Sequence, residues 1–326
     1  MKINYRMMAP LSGIEFEFKE KTRYPLNDNV HLFINDSSEF PNYNTINTGQ
    51  FSYQIITGID SIPFNYYPLL VCYFKDIENI DQHSQNLLSS FIISLSFFKT
   101  TNSKIKEGRR IIQTILADGT GGSVAAPGAF DSDMATKYKL SKSELDEFKI
   151  FYEKFQNILD SLTDKRMLFA INFYAKASRT GDITEKFIFL SLALEMLFSR
   201  ENDELSYRFG NRIALLLGSS QKQRECIRTI VKQLYNIRSS LFHGSSFKAP
   251  SLNEFLYLNE LIRASILQLI TLIKLDTSDP ILTLDEMILK QDTEEYQKMH
   301  KNTMTYFSNI VEFRYKEYEK ITEIPI

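Results

Sequence analysis

The sequence predicts an α+β protein, with an N-terminal β-rich domain followed by an all-α helical bundle. Three observations carry that expectation. Apolar and polar residues alternate, as in half-buried strands, only within about the first 80 residues. From Ser141 onward the apolar spacing changes to three and four, the period of a helix. Between them lies Asp118-Gly119-Thr120-Gly121-Gly122-Ser123, running on to Pro127-Gly128, the clearest break in the chain. The expected domains are therefore 1–117, a flexible Gly-rich loop at 118–140, and a helical domain at 141–326.

In chain order, Ile14-Glu15-Phe16-Glu17-Phe18-Lys19 alternates as a strand does. Val30-His31-Leu32-Phe33-Ile34 and Phe51-Ser52-Tyr53-Gln54-Ile55 continue the pattern, separated by the turn formers Asn27-Asp28-Asn29 and Pro41-Asn42. Leu69-Leu70-Val71-Cys72-Tyr73-Phe74 is apolar throughout and reads as a strand buried on both faces. A small mixed or antiparallel sheet is expected. Residues 86–98 and 104–116 are helical candidates. The Gly-rich stretch lacks the Gly-Lys-Ser/Thr of a phosphate loop, so it reads as a mobile linker rather than a nucleotide site.

The helical half opens on Ser141-x-x-Glu144, a capping box, for a helix running to about Leu162. Further helices are expected at about 164–178, 182–200, 204–217, 221–243, 251–275 and 294–320. Gly181, Gly218 and Gly244 stand where helices should stop.

Composition narrows the function classes. The chain has 326 residues, enough for two domains, and a net charge of -2, so any nucleic-acid contact must come from a local patch. Its two cysteines, Cys72 and Cys226, form no Cys-x-x-Cys pair; they suit a reducing cytoplasm and read as packing residues. The N-terminus has no apolar signal core. The longest apolar stretch, Leu261 to Leu275, is interrupted by Arg263, Gln268 and Lys274, so no membrane role is expected. No metal-ligand spacing is visible, and no cofactor is expected.

The residues that carry chemistry lie in the helical half. Residues 182–200 are apolar almost all round, so that helix should be central, yet Glu195 lies inside the run. A buried carboxylate needs a partner; Arg212, Arg238 and His243 are the candidates. It reads either as a structural ion pair or as a carboxylate that orients a catalytic group. Arg208 and Arg212, one turn apart, share a stripe opposite Phe209, Ile213, Leu216 and Leu217. The next helix has Ile230, Leu234, Ile237 and Leu241 as its core stripe. Arg238 and His243 lie off that stripe, about 140° apart on an ideal helix. Between Arg200 and Lys248 there are nine Lys or Arg against four Asp or Glu, a local excess that suits a phosphate-binding groove or simply a solvated helix surface. A histidine just before a C-cap glycine also interacts well with the helix dipole, a purely structural alternative for His243.

Taken together, Ala193-Leu194-Glu195, Ser206-Tyr207-Arg208, Arg212-Ile213-Ala214-Leu215-Leu216, Leu234-Tyr235-x-x-Arg238-Ser239 and His243-Gly244 resemble the ApeA-like branch of the HEPN superfamily. The matching block runs from about 182 to 275, under a third of the chain. The resemblance implies a dimerising HEPN-type bundle of four or five helices and metal-independent endoribonuclease activity. By that analogy His243 is general acid or base, Arg238 binds the scissile phosphate, and Glu195 completes the catalytic set. Arg208, Arg212, Tyr235 and Ser239 are then expected to contact RNA. Many active members carry Asn, Asp or His after the motif arginine; this chain has Ser239, as the ApeA-like branch does. The resemblance further implies a cytoplasmic toxin or antiviral abortive-infection factor, with the N-terminal domain sensing a phage or host trigger. The alternative is a non-catalytic HEPN module for RNA binding or dimerisation.

Overall fold

The structure is a computed structural model. It describes residues 4–34, 68–75, 78–99, 106–107, 110–115, 123–126, 138–199, 205–218, 220–243, 249–274 and 280–290. Two compact units divide the chain: Met1–Leu95 with Ser103–Glu153, and Ser96–Asn102 with Lys154–Ile326. This division differs from the expected one at the Gly-rich stretch, because residues 103–153 stay with the sheet.

The first unit holds β1 (Asn4–Ser12), β2 (Ile14–Phe16), β3 (Thr22–Pro25), β4 (Val30–Ile34), β5 (Leu69–Lys75), most of α1 (Ile80–Phe98), β6 (Lys106–Glu107), β7 (Arg110–Ile115), β8 (Ser123–Ala126), β9 (Tyr138–Leu140) and the start of α2 (Lys142–Ser161). Seven strands form one sheet in the order β3-β4-β5-β1-β7-β8, with β6 pairing β1 off that row. Every pair in it is antiparallel. Successive residues of a strand point to opposite faces, and Met7 and Met8 on β1 are both fully buried, as are Leu70, Val71 and Cys72 on β5. Both faces of the central strands are thus covered, which is why β5 reads as a continuous apolar run. Gly13, at a φ of 82°, turns the chain between β1 and β2 in the left-handed region that glycine tolerates. There β2 pairs in parallel with β9.

Two expectations fail in this unit. Residues 104–116 are not a helix: β6 and β7 lie there, and β7 pairs with β1 from Met8↔Ile111 to Asn4↔Ile115. The run Ile111-Ile112-Gln113-Thr114-Ile115 is dominated by β-branched residues, which fit a pleated sheet better than a helix. The Gly-rich stretch is not loop throughout either, since Ser123–Ala126 forms β8 on the edge of the sheet. The expected strand at 51–55 lies outside the described residues.

The second unit is helical: the end of α2, then α3 (Lys165–Arg179), α4 (Ile183–Phe198), α5 (Leu205–Leu217), α6 (Gln221–His243), α7 (Leu252–Lys274) and α8 (Pro280–Lys290). Side-chain caps fix the starts. The Asp164 carboxylate accepts from Met167 N–H at 2.7 Å, and Asp182 accepts from Glu185 N–H at 2.9 Å. The capping box that opens α2 forms as its sequence requires, with Ser141 N–H to Glu144 Oε2 at 3.0 Å and Glu144 N–H to Ser141 Oγ at 3.2 Å. Arg263 and Gln268, the interruptions of the apolar run in α7, are buried. Arg263 pairs with Glu260 and donates to the Phe97 carbonyl at 2.9 Å. Among the described residues no helix is long and apolar enough to cross a membrane. The helix expected at 294–320 lies outside the described residues, whereas α8, which begins with Pro280 in the favoured first position, was not expected.

Candidate active site

The apolar stripe of α6 packs its N-terminal half firmly: Ile227, Ile230, Val231 and Leu234 are buried. Toward its C-terminal end Ile237, Arg238, Ser239, Ser240 and Leu241 are half-buried and Phe242 is exposed. The motif residues therefore lie beyond Leu234, where the apolar stripe is only half-buried. The helix runs unbroken to His243, so Arg238 and His243 keep the angular offset of a regular helix at the backbone. The side chain of His243 lies outside the described residues.

Helix α4 supplies the partner for Arg238. Its inner face, Phe187, Leu190, Ala193, Leu194, Leu197 and Phe198, is buried, while Glu195 is half-buried beside it. An Nη2 of Arg238 lies 2.5 Å from Glu195 Oε1, with both side chains about four-fifths buried. The contact is close but poorly aligned as a hydrogen bond, since neither Glu195 Oε1 nor Arg238 Nε has a hydrogen-bond partner among the described residues. The contact is an ion pair, and its two unsatisfied atoms are themselves closed off from solvent. Of the two candidate arginine partners for Glu195, Arg212 and Arg238, Arg238 is thus the one in contact.

Two rings flank the same guanidinium. Its carbon lies 4.6 Å from the ring centroid of Phe242 and 5.8 Å from that of Tyr235. Residues 235, 238 and 242 are three and four apart, so one helix stripe carries aromatic, cation and aromatic in turn. Tyr235 is itself held edge-on to Phe209 of α5, with centroids 6.3 Å apart.

Arg212 does not belong with these groups, which corrects its expected contact with RNA. Only 3% of its side chain is exposed. Its Nε and one Nη each donate to Asp285 of α8 at 2.7 Å, and the other Nη donates to the Phe198 carbonyl. The reason is that α5 packs against α6, α7 and α8, so what looked like an outer stripe is covered by a helix the sequence did not reveal. Arg212 instead caps the last turn of α4, the turn after Glu195. Arg208, one turn earlier, is half-buried, as is Ser239.

Part of the local excess of cations is likewise used within the fold. Arg224 donates to the Gly218 carbonyl at 3.2 Å, and Arg228 donates to Asn211 Oδ1 at 2.8 Å. Gly218 is required there: a Cβ would come within 2.6 Å of Arg224 Cγ and 2.7 Å of the Ala214 carbonyl oxygen. Lys222 and Lys232 remain exposed. Among the described residues, no three His, Cys, Asp or Glu side chains gather where they could hold a metal ion.

Sequence reasoning missed Asp285 and Phe242. The first had no signal without α8. The second was visible as an aromatic four residues after Arg238. Compared with protein-family models, curated proteins and solved structures, the chain matches none.

Proposed function

We propose that the helical unit is a HEPN-type, metal-independent endoribonuclease, working as a homodimer, with Arg238 and His243 as its catalytic pair. The observation that carries this reading is the setting of Arg238. It is held by Glu195, flanked by Tyr235 and Phe242, and keeps about a fifth of its side chain open to solvent. A guanidinium fixed in this way is prepared to donate to a phosphate oxygen and to stabilise charge that develops there. The ordered motif from Leu194-Glu195 to His243-Gly244 supports the same reading.

In this reaction the ribose 2′-oxygen attacks the adjacent phosphorus while the bond to the 5′-oxygen breaks. The products are a 2′,3′-cyclic phosphate and a 5′-hydroxyl. His243 acts as general base or acid in moving the protons, Arg238 holds the phosphate oxygens, and Glu195 positions Arg238. Arg208, Tyr235 and Ser239 extend the RNA contacts. The biological setting of such an enzyme is a cytoplasmic toxin or antiviral abortive-infection effector, with the sheet unit answering a phage or host trigger.

The ion pair also favours a second reading, a non-catalytic HEPN module for RNA binding or dimerisation, because Glu195 offsets the charge of Arg238. Expression of wild type beside His243→Ala in a bacterium separates the two, scored by growth and RNA integrity. The ribonuclease reading expects toxicity and RNA breakdown from wild type only. Purified wild type is expected to cut RNA in EDTA, and His243→Ala and Arg238→Ala each to lose at least about 100-fold in rate. Unchanged cleavage by His243→Ala overturns the reading.

A further inference from the structure

Helix α4 ends at Phe198, and carbonyls at the end of a helix lack partners in the turns that follow. Here the last turn is held from outside. Ser199 N–H donates to the Glu195 carbonyl at 2.9 Å, and the Arg212 guanidinium of α5 donates to the Phe198 carbonyl. A cation at this end also suits the helix dipole. Arg212 is only 3% exposed, and a cation so buried needs a counter-charge. Asp285 of α8 supplies it through two hydrogen bonds of 2.7 Å. Ile281 and Leu284 of α8 are buried, so the helix that delivers Asp285 is itself seated in the fold.

The same last turn of α4 carries Glu195, whose carboxylate meets Arg238 of α6 at 2.5 Å. Polar contacts thus run from Asp285 through Arg212 to the Phe198 carbonyl, and from that turn through Glu195 to Arg238. We infer that Asp285 is a positioning residue for cleavage, acting through Arg212 to fix the last turn of α4 and so the Glu195–Arg238 pair; its effect on cleavage rests on the ribonuclease reading. Without the Asp285 charge, Arg212 is a buried cation with no counter-charge, and turning toward water relieves it. That movement releases the Phe198 carbonyl and lets the last turn fray. Glu195 belongs to that turn, so its carboxylate no longer holds Arg238 in one place. Small misplacements of a group at the reacting centre slow the chemical step steeply. Arg208, Tyr235 and Ser239 lie on other helices, so RNA affinity is largely kept.

The test uses the full chain and three variants: Asp285→Asn, Asp285→Glu, and Arg212→Met combined with Asp285→Leu. The combined variant leaves no unpaired ion in the interior, yet it abolishes the hold on Phe198. It therefore separates positioning from stability. Circular dichroism shows whether each variant is folded. RNA cleavage gives kcat and KM, and hydrogen exchange of the Ser199 amide reports the α4 turn without reference to activity. Asp285→Asn and the combined variant are each expected to lose roughly 10- to 100-fold in kcat, with little change in KM. Their Ser199 amide should exchange on the order of 10-fold faster than in wild type. Asp285→Glu, which keeps the charge, should recover part of both. Full kcat in the folded combined variant overturns the positioning role, because any loss in Asp285→Asn is then one of stability. Unchanged exchange of Ser199 in Asp285→Asn overturns it as well. If wild type cuts no RNA, the ribonuclease reading falls and the effect on cleavage falls with it. Faster exchange in Asp285→Asn then still supports the hold of Asp285 on α4, and unchanged exchange overturns that too.

Discussion

The Glu195 carboxylate and the Arg238 guanidinium meet across α4 and α6 at 2.5 Å, in a contact that leaves Glu195 Oε1 and Arg238 Nε without a hydrogen-bond partner among the described residues. An ion pair this close, four-fifths withdrawn from water, is stronger than a surface pair, yet it is not saturated. It holds the arginine in place with about a fifth of its side chain still exposed. A double-mutant cycle with Glu195→Gln and Arg238→Lys measures the coupling. The expected interaction energy in urea unfolding is about 0.5–3 kcal/mol. In the cleavage assay, Glu195→Gln is expected to lower kcat roughly 10-fold with a smaller change in KM, as befits a positioning residue. A coupling of zero would remove Glu195 from the site.

Arg212 is expected to matter for stability and not for RNA affinity. Its charge is buried, and Asp285 neutralises it through two hydrogen bonds. Removing one partner of a buried pair costs about 3–5 kcal/mol, reduced here to about 2–4 kcal/mol because Asp285 is 37% exposed. Asp285→Ala should therefore lower the unfolding midpoint clearly. The paired change Arg212→Met with Asp285→Leu should be milder than either single loss, because no uncompensated charge remains. RNA affinity of folded Asp285→Ala should match wild type. A selective loss of RNA binding with unchanged stability would restore Arg212 to the RNA-binding surface.

Some of this was legible in the chain and some was not, for physical reasons. Capping chemistry is local, so Ser141 with Glu144 marked the start of α2. Apolar spacing is local as well, and it placed α3 to α7 within a few residues of their observed bounds. β1 went unread because its buried stretch Met7-Met8-Ala9 is bounded by Arg6 and Pro10, so it shows neither the alternation of β2 nor the long apolar run of β5. The 104–116 stretch offered helical spacing and β-branched residues at once; pairing with β1, a non-local fact, decided for strand. The same limit applied to the site. Glu195 announced its need for a cation by its apolar surroundings, but which arginine answered depended on α8 having taken Arg212.

The cysteines give a prediction about pH. Burial pushes the Cys72 thiol well above its ordinary value of 9.0, because the thiolate would be desolvated in the sheet core. Burial and the Asp146 carboxylate similarly raise the Tyr24 phenol. A group whose folded pKa is raised contributes its full stability below the unfolded value and loses it as pH rises through the folded value. Stability should therefore fall as pH climbs above about 9, and the fall should be shallower in Cys72→Ala. At neutral pH a thiol reagent should modify the half-buried Cys226 first and reach Cys72 only on unfolding. Equal labelling rates for both thiols in the native protein would contradict the buried position of Cys72.

Assembly as a two-fold dimer is expected from the chemistry of cleavage. Cleavage by the 2′-hydroxyl uses one group that takes a proton and another that gives one to the leaving oxygen. The chain has four histidines, and His243 alone lies in the motif. His31 is on β4 of the sheet unit, packed edge-on against Tyr73 at 5.5 Å. His83 is on α1, and His300 lies outside the matched block. A two-fold arrangement that faces the C-terminal ends of two α6 helices across one groove supplies the second histidine by symmetry. It also sets two Arg238 side chains along one RNA backbone, which offsets the partial neutralisation by Glu195. Sedimentation equilibrium at assay concentration should report a dimer. Co-expression of a His243→Ala chain with an Arg238→Ala chain, each inactive alone, should recover part of the activity. One groove of the mixed dimer can draw Arg238 from one copy and His243 from the other. Recovery should grow as the two chains approach equal amounts and vanish if either is omitted. A strictly monomeric chain with full activity would rule out the shared groove and require His243 to work with a different acid from its own chain.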